Sequence, residues 1–234
     1  MAGVAENLER VRAAMAEAAR EAGRDPGSVL LVAVSKLKPA ALIREAIAAG
    51  QYDFGENYGQ ELRDKMREVN DPRARWHFIG RLQKNKVKYA AGKVYEVHSL
   101  DGLELAAAVN ERAGKEGVVQ RVMIEVNVGG EASKSGVEPG EALSLARSMR
   151  SLEHLDLVGL MTMPPLLDDP AAERPYYRAL RELRDRIRDE LGDPAALPEL
   201  SMGLSHDFQE AIAEGATRVR IGTAIFGERE KSSR

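Results

Sequence analysis

The chain has 234 residues, a formal net charge of −3 with acidic and basic residues interspersed, and no cysteine. This excludes disulfides, thiolate metal sites and a cysteine nucleophile, and it leaves no basic field for nucleic acid. No apolar run approaches the ~20 residues of a membrane span, and the amino terminus MAGVAENLERVRAAM is charged throughout, unlike a signal peptide. A soluble, cytoplasmic protein with no nucleic-acid or membrane partner is expected.

Val4, Leu8, Val11, Met15 and Ala18 recur at spacings of four and three, one face of a helix. Gly23 and Pro26 stop it, so residues 1–23 form an N-terminal helix. LLVAVS (30–35) is the first strand-like run. YDFG (52–55), RWHFIG (75–80), VYEVHS (94–99), RVMIEVNV (121–128), LVGLMTM (157–163), PELSMG (198–203) and RVRIGTAIF (218–226) follow. Helix-like runs separate them at 39–49, 58–69, 83–91, 101–114, 138–150, 173–191 and 206–214. In 173–191, Tyr176, Leu180, Leu183, Ile187 and Leu191 make an apolar stripe between charges. Alternating strands and helices predict parallel βα units. Eight of them, at roughly the usual ~250 residues, predict an α/β fold: a single (β/α)8 TIM barrel with an extra N-terminal helix. An open doubly wound sheet is the rival. One domain is expected over 1–234, with 230–234 as a loose tail.

Chemistry in such barrels sits where strands end. Lys36 ends the first strand and shares a face with Val32 and Val34. If those valines point inward, Lys36 stands at the barrel mouth, where partial desolvation lowers its pKa and frees a nucleophilic amine. The alternative is a lysine that only reaches solvent from a strand end. Lys38 lies further out and reads as solvated. Ser201-Met202-Gly203 and Gly222-Thr223 end the last two strands, where barrels often build a phosphate site. Their small residues and hydroxyls suit an anion, and 223–227 can open a short helix, although the glycines could equally serve tight turns. An amine and an anion site are the two handles that a phosphorylated aldehyde needs. Arg220 could donate to a pyridine nitrogen and, holding its own proton, would leave that nitrogen unprotonated and a poor electron sink. It could equally be a strand-end ion pair with Glu214 or Glu228.

Several segments together resemble the pyridoxal 5′-phosphate (PLP) homeostasis family, which shares the barrel of alanine racemase. They are VAVSKLKP (32–39), FGENYGQEL (54–62), WHFIGRLQKNK (76–86), SLD (99–101), EASKSG (131–136), GLMTM (159–163), LSMGLSHDFQEAI (200–212) and RIGTAIFGER (220–229). The resemblance implies PLP held as a Schiff base on Lys36, phosphate contacts around Ser201, Met202, Gly222 and Thr223, Arg220 near the pyridine nitrogen and Asn57 beside the ring. It also implies a role in holding PLP, with apo PLP-dependent enzymes as recipients, rather than robust catalysis. Racemases of this barrel type carry a further β-rich domain supplying a tyrosine base. This sequence ends soon after Arg220, so no such domain and a monomer are expected, and only Tyr58 stands as a speculative second base. A PLP-dependent amino-acid racemase of low activity is the alternative, and a cofactor-free lysine aldolase a third reading.

The four histidines, His77, His98, His154 and His206, fit no metal spacing. His77 and His98 read as core or supporting groups, and His206 as part of a helix start. Arg81, Lys84, Lys86 and Lys88 read as a solvated helix face. Lys134 is a candidate second PLP contact. Met161 and Met163 flank a strand end, one expected to pack in the barrel and the other free to face a ligand.

Overall fold

The computed structural model describes residues 3–131 and 134–228; the expected tail at 230–234 lies outside them. Helix α1 (Val4–Glu21) forms as the spacing predicts, with Val4, Leu8, Val11, Met15 and Ala18 buried. Burying a side chain such as Leu8 stabilises the fold by about 2 kcal/mol. Gly23 ends the helix at φ +67°, a conformation that glycine adopts without a Cβ penalty. α1 packs on the last helices, and Asn7 Nδ2 donates to the Ile225 carbonyl at 2.9 Å.

Then follow β1 (Leu30–Val34), α2 (Ala40–Ala48), β2 (Asp53–Glu56), α3 (Gly59–Val69), β3 (Arg75–Phe78), α4 (Val87–Ala90), β4 (Glu96–Leu100), α5 (Leu103–Lys115), β5 (Gln120–Glu125), α6 (Ala142–Met149), β6 (Leu155–Met161), α7 (Arg174–Leu191), β7 (Glu199–Ser201), α8 (Phe208–Ala213), β8 (Arg218–Ile221) and α9 (Thr223–Phe226). The strands pair in parallel, in sequence order, and β8 returns to β1 with Val32 opposite Arg220. That closure excludes the open-sheet rival, because an open sheet leaves both edge strands unpaired.

Boundaries moved where local signals competed. The run 218–226 is not one strand: it stops at Ile221, and Gly222 opens α9. The predicted helix at 83–91 shrinks to α4 after a short turn at Lys84–Lys86. The stripe of α7 runs through Tyr177, not Tyr176: Tyr177, Leu180, Leu183 and Ile187 are buried. The Tyr177 hydroxyl donates to Asp207 Oδ2 at 2.7 Å, which pays for burying it.

The main apolar core lies between strands and helices and contains Leu31, Ala33, Phe54, Val97, Val122, Ile124 and Leu160. Alternate residues face the barrel axis. There Met123, Val158 and Met161 form a small apolar cluster. Much of the remaining interior is polar: Asp53, His77, Glu96, His98, Ser201, Arg218 and Arg220 are all buried. Most barrels of this kind fill the axis with branched apolar residues. This polarity needs an account.

Candidate functional site

The C-terminal ends of the strands surround a cavity of about 780 Å³. Lys36, Asn57, Arg220, Gly222 and Thr223 all line it, together with Val34, Ser205 and Met163. Five of the seven residues expected at a ligand site thus come together from β1, β2 and β8.

Lys36 sits in a turn directly after β1 and is half-buried. Its neighbours are clamped by α3. Lys65 Nζ donates to the Ser35 carbonyl at 2.5 Å and to Glu56 Oε1 at 2.8 Å. Ser35 Oγ donates to the same Glu56 oxygen at 2.6 Å. On the other side the Leu37 N–H donates to Glu61 Oε1 at 2.6 Å, and Lys65 also pairs with Glu61. Leu37 holds φ +60°, strained for a non-glycine residue, and this clamp keeps it there. Burial pushes the Glu56 carboxyl upward, and the Lys65 ammonium and its hydrogen bonds oppose that. Nothing in the sequence pattern marked Lys65; i, i+4 spacing to Glu61 was the available signal. Lys38 is not solvated as expected: its ammonium donates to the Phe226 and Glu228 carbonyls at 3.0 and 2.7 Å, tying the turn to the end of α9.

Asn57 follows β2. Its Oδ1 is buried and has no hydrogen-bond partner among the described residues. Gly80 makes room beside it, since a Cβ there would lie 2.4 Å from the Asn57 carbonyl oxygen. A buried acceptor without a donor is costly and points to a missing partner.

The opposite wall is built by the loops after β7 and β8. The N–H groups of Ser205, Thr223 and Ala224 find no acceptor among the described residues, while the Gly222 N–H meets Ser205 Oγ at 3.2 Å. Backbone donors along a cavity wall suit an anion. Gly203, at φ +94°, lets this loop turn over α8. Ser201 and Met202 were expected to contribute here, and their side chains lie elsewhere. Met202 packs in the outer core, and its N–H is held by the Arg218 carbonyl. Ser201 is fully buried below the cavity. Ser205, which the sequence analysis did not single out, lines the wall instead.

Arg220 makes no ion pair with Glu214, which instead pairs with Arg174, Arg178 and Arg181. Its Nη1 donates to Ser201 Oγ at 2.6 Å and its Nη2 to the Thr162 carbonyl at 2.9 Å. Burial lowers its pKa from the ordinary arginine value. Glu125, at the end of β5, is another group the sequence did not flag: burial pushes its carboxyl up to about 7, with the Arg220 charge opposing and Asp101 assisting.

The remaining candidates stand apart from this cavity or at its rim. Tyr58 is 55% exposed and lines a neighbouring cleft with Arg81 and Lys86, not the cavity that holds Lys36. Arg81, Lys84 and Lys88 are exposed, as a solvated face requires, whereas Lys86 is half-buried in that cleft. Lys134 Nζ donates to the Pro164 carbonyl at 2.7 Å. Met161 packs inside the barrel and Met163 lines the cavity. His206 stands just ahead of α8 at the cavity rim, and its Nε2 lies 2.8 Å from Glu173 Oε1. No described helix is long and apolar enough to cross a membrane.

Fold and site together define a βα-barrel with an amine, an unmatched amide oxygen and open backbone donors converging at its C-terminal mouth. The chain belongs to the family described as alanine racemase, N-terminal domain, whose model matches residues 5–230, and within it to the pyridoxal phosphate homeostasis proteins. The relative of that name from Aquifex aeolicus (strain VF5) is 49% identical over 96% of this chain and 98% of its own length. Its namesake from Pseudomonas aeruginosa is 47% identical over 98% of this chain and 97% of the relative. PipY of Synechococcus elongatus PCC7942, solved with PLP bound, superposes with a TM-score of 0.83 at 34% identity, covering 96% of this chain and all of PipY.

Proposed function

We propose that this chain binds PLP in the mouth cavity and serves in PLP homeostasis, holding the vitamer as a Schiff base on Lys36 and releasing it to apo PLP-dependent enzymes. PLP supplies an aldehyde that condenses with a primary amine, releasing one water, and a phosphate that needs donors. Lys36 offers the amine. Ser205, Gly222, Thr223 and Ala224 offer the anion wall, Arg220 faces the ring nitrogen, and Asn57 stands beside the ring. The carrying observation is that these groups, drawn from β1, β2, β7 and β8, line one cavity in which Asn57 Oδ1 and the N–H groups of Ser205, Thr223 and Ala224 have no partner among the described residues. PipY, similar along its whole length, is known with PLP bound.

The protein acts in this reading as a cytoplasmic monomer without rapid turnover. Arg220 favours that: an arginine donor leaves the ring nitrogen unprotonated, which disfavours carbanion chemistry. One set of measurements tests the whole reading. Purified protein titrated with PLP should gain a visible band, and borohydride followed by mass spectrometry should place the adduct on Lys36. Lys36→Ala should lose that band. An adduct elsewhere sinks the site, and steady racemisation of alanine or serine by the same sample sinks the homeostasis role. Sedimentation at micromolar protein checks the monomer.

A further inference from the structure

Below the cavity runs a polar column of which PLP binding as described uses only the top member, Arg220. Arg220 Nη1 donates to Ser201 Oγ at 2.6 Å. Ser201 Oγ lies 2.9 Å from His98 Nδ1, His98 Nε2 lies 3.0 Å from His77 Nδ1, and His77 Nε2 lies 3.0 Å from Asp53 Oδ1. All five side chains are buried. Arg75 closes the far end with two bonds to Asp53 at 2.8 and 2.5 Å.

Donor counting places the protons. A guanidinium only donates, so Ser201 Oγ accepts from Arg220. The single Ser201 hydrogen then has one acceptor among the described residues, His98 Nδ1. His98 must carry its hydrogen on Nε2. Two imidazole nitrogens 3.0 Å apart share one hydrogen, so His77 Nδ1 is bare and its Nε2–H donates to Asp53. Glu96 Oε2, 3.2 Å from His98 Nε2, lies beside the same hydrogen. The reverse direction needs a doubly protonated His77 and leaves the Ser201 hydrogen buried without an acceptor, which is costly. Burial also holds the His98 imidazole neutral, lowering its pKa to about 4.

His77, Glu96 and His98 are close enough to hold a metal ion. Arg121 and Arg218 already flank Glu96 at 2.9 and 3.5 Å, and their charges repel a dication.

We propose that Asp53, His77, His98 and Ser201 are positioning residues for Arg220: a one-way hydrogen-bond relay, with both histidines neutral and protonated on Nε2, that pins the guanidinium as a fixed donor into the cavity. Its immediate partners, the Ser201 hydroxyl and the Thr162 carbonyl, are both neutral. Glu125 and Asp207 act on its charge only through space, and Glu96 lies against His98 rather than against the guanidinium. Among the described residues the guanidinium has no ion-pair partner, and three of its five N–H groups make no hydrogen bond, which leaves its charge for a ligand in the cavity it lines. Only the identity of that ligand rests on the PLP reading.

Nitrogen-15 NMR of the labelled, PLP-free protein tests the relay directly. His98 and His77 should each show a bare Nδ1 and a protonated Nε2 at pH 7; a protonated His98 Nδ1 overturns the proposal. Variants add a second readout. His98→Leu should weaken PLP binding roughly tenfold, as expected for disturbing a hydrogen bond to a charged group. His98→Asn, which restores an acceptor near the Nδ1 position, should recover most of that loss. Equal affinity in both variants would overturn the positioning role. With ring-labelled PLP bound, the ring nitrogen should resonate as unprotonated pyridine, and a pyridinium signal would refute the fixed donor. Failure of PLP to bind at all would sink the cofactor reading, while the histidine tautomers would still decide the relay.

Discussion

The two ends of the barrel satisfy their polar groups in opposite ways. Towards the amino ends of the strands, charge meets charge within the chain: Asp53 is bracketed by Arg75 and His77, Glu96 accepts from Arg121, and Glu199 accepts from Arg218. At the carboxyl ends, Asn57 Oδ1 and the N–H groups of Ser205, Thr223 and Ala224 are left without protein partners among the described residues. A group that must grip a ligand cannot also be saturated by its own chain. The lower half therefore provides rigidity, and the upper half keeps binding capacity at some cost in stability.

The largest test of this contrast is the clamp beneath Lys36. Lys65→Met leaves Glu56 buried without its cation, and stability measured by urea unfolding should fall by about 3–5 kcal/mol. A loss under ~1 kcal/mol would mean that the turn is not held from below.

Glu125 comes next. Its folded pKa of about 7 lies above the ordinary carboxylate value, so the fold binds its proton more tightly than the unfolded chain does. Its contribution to stability is fully present below about pH 4.5 and is lost as pH rises through about 7. The loss has a ceiling of about 3 kcal/mol. Glu125→Gln should match the parent in acid and melt higher at pH 8; parallel melting curves across that range would remove Glu125 from the costs of the mouth.

Gly203→Ala should cost about 2 kcal/mol, because φ is +94° and the new Cβ would lie 2.6 Å from Ala211 Cβ. The smallest effect belongs to Lys36 itself. Lys36→Ala should change stability by no more than about 1 kcal/mol, read by thermal melting, while abolishing the visible PLP band. A variant that unfolds instead would place Lys36 among the structural residues and blur the division between the two ends.

Much of the architecture was legible in the chain because secondary structure leaves a short-range record. The α1 stripe from Val4 to Ala18, the alternation that sets Val34 and Lys36 on one face, and the count of eight βα units depend on neighbours two to four residues apart. Tyr177 rather than Tyr176 lies in the stripe, and the hydroxyl it buries finds partners in Glu173 and in Asp207, 30 residues on. The sequence also placed Lys36, Arg220, Gly222 and Thr223 at strand ends, where barrel geometry brings them together, and the family resemblance added Asn57.

What tertiary structure alone decided is which partners those groups meet. Barrel closure depends on β1 meeting β8 across nearly the whole chain. Ser201 reads locally as a loop hydroxyl suited to phosphate, yet its partners are His98, 103 residues away, and Arg220, 19 residues away. Lys65 reads as one more charge on an amphipathic helix and proves to be the floor of the Lys36 turn. Periodicity tells a side chain which way to face, because that is fixed by the local backbone. The atom waiting on the other side is set by the closure of the whole barrel.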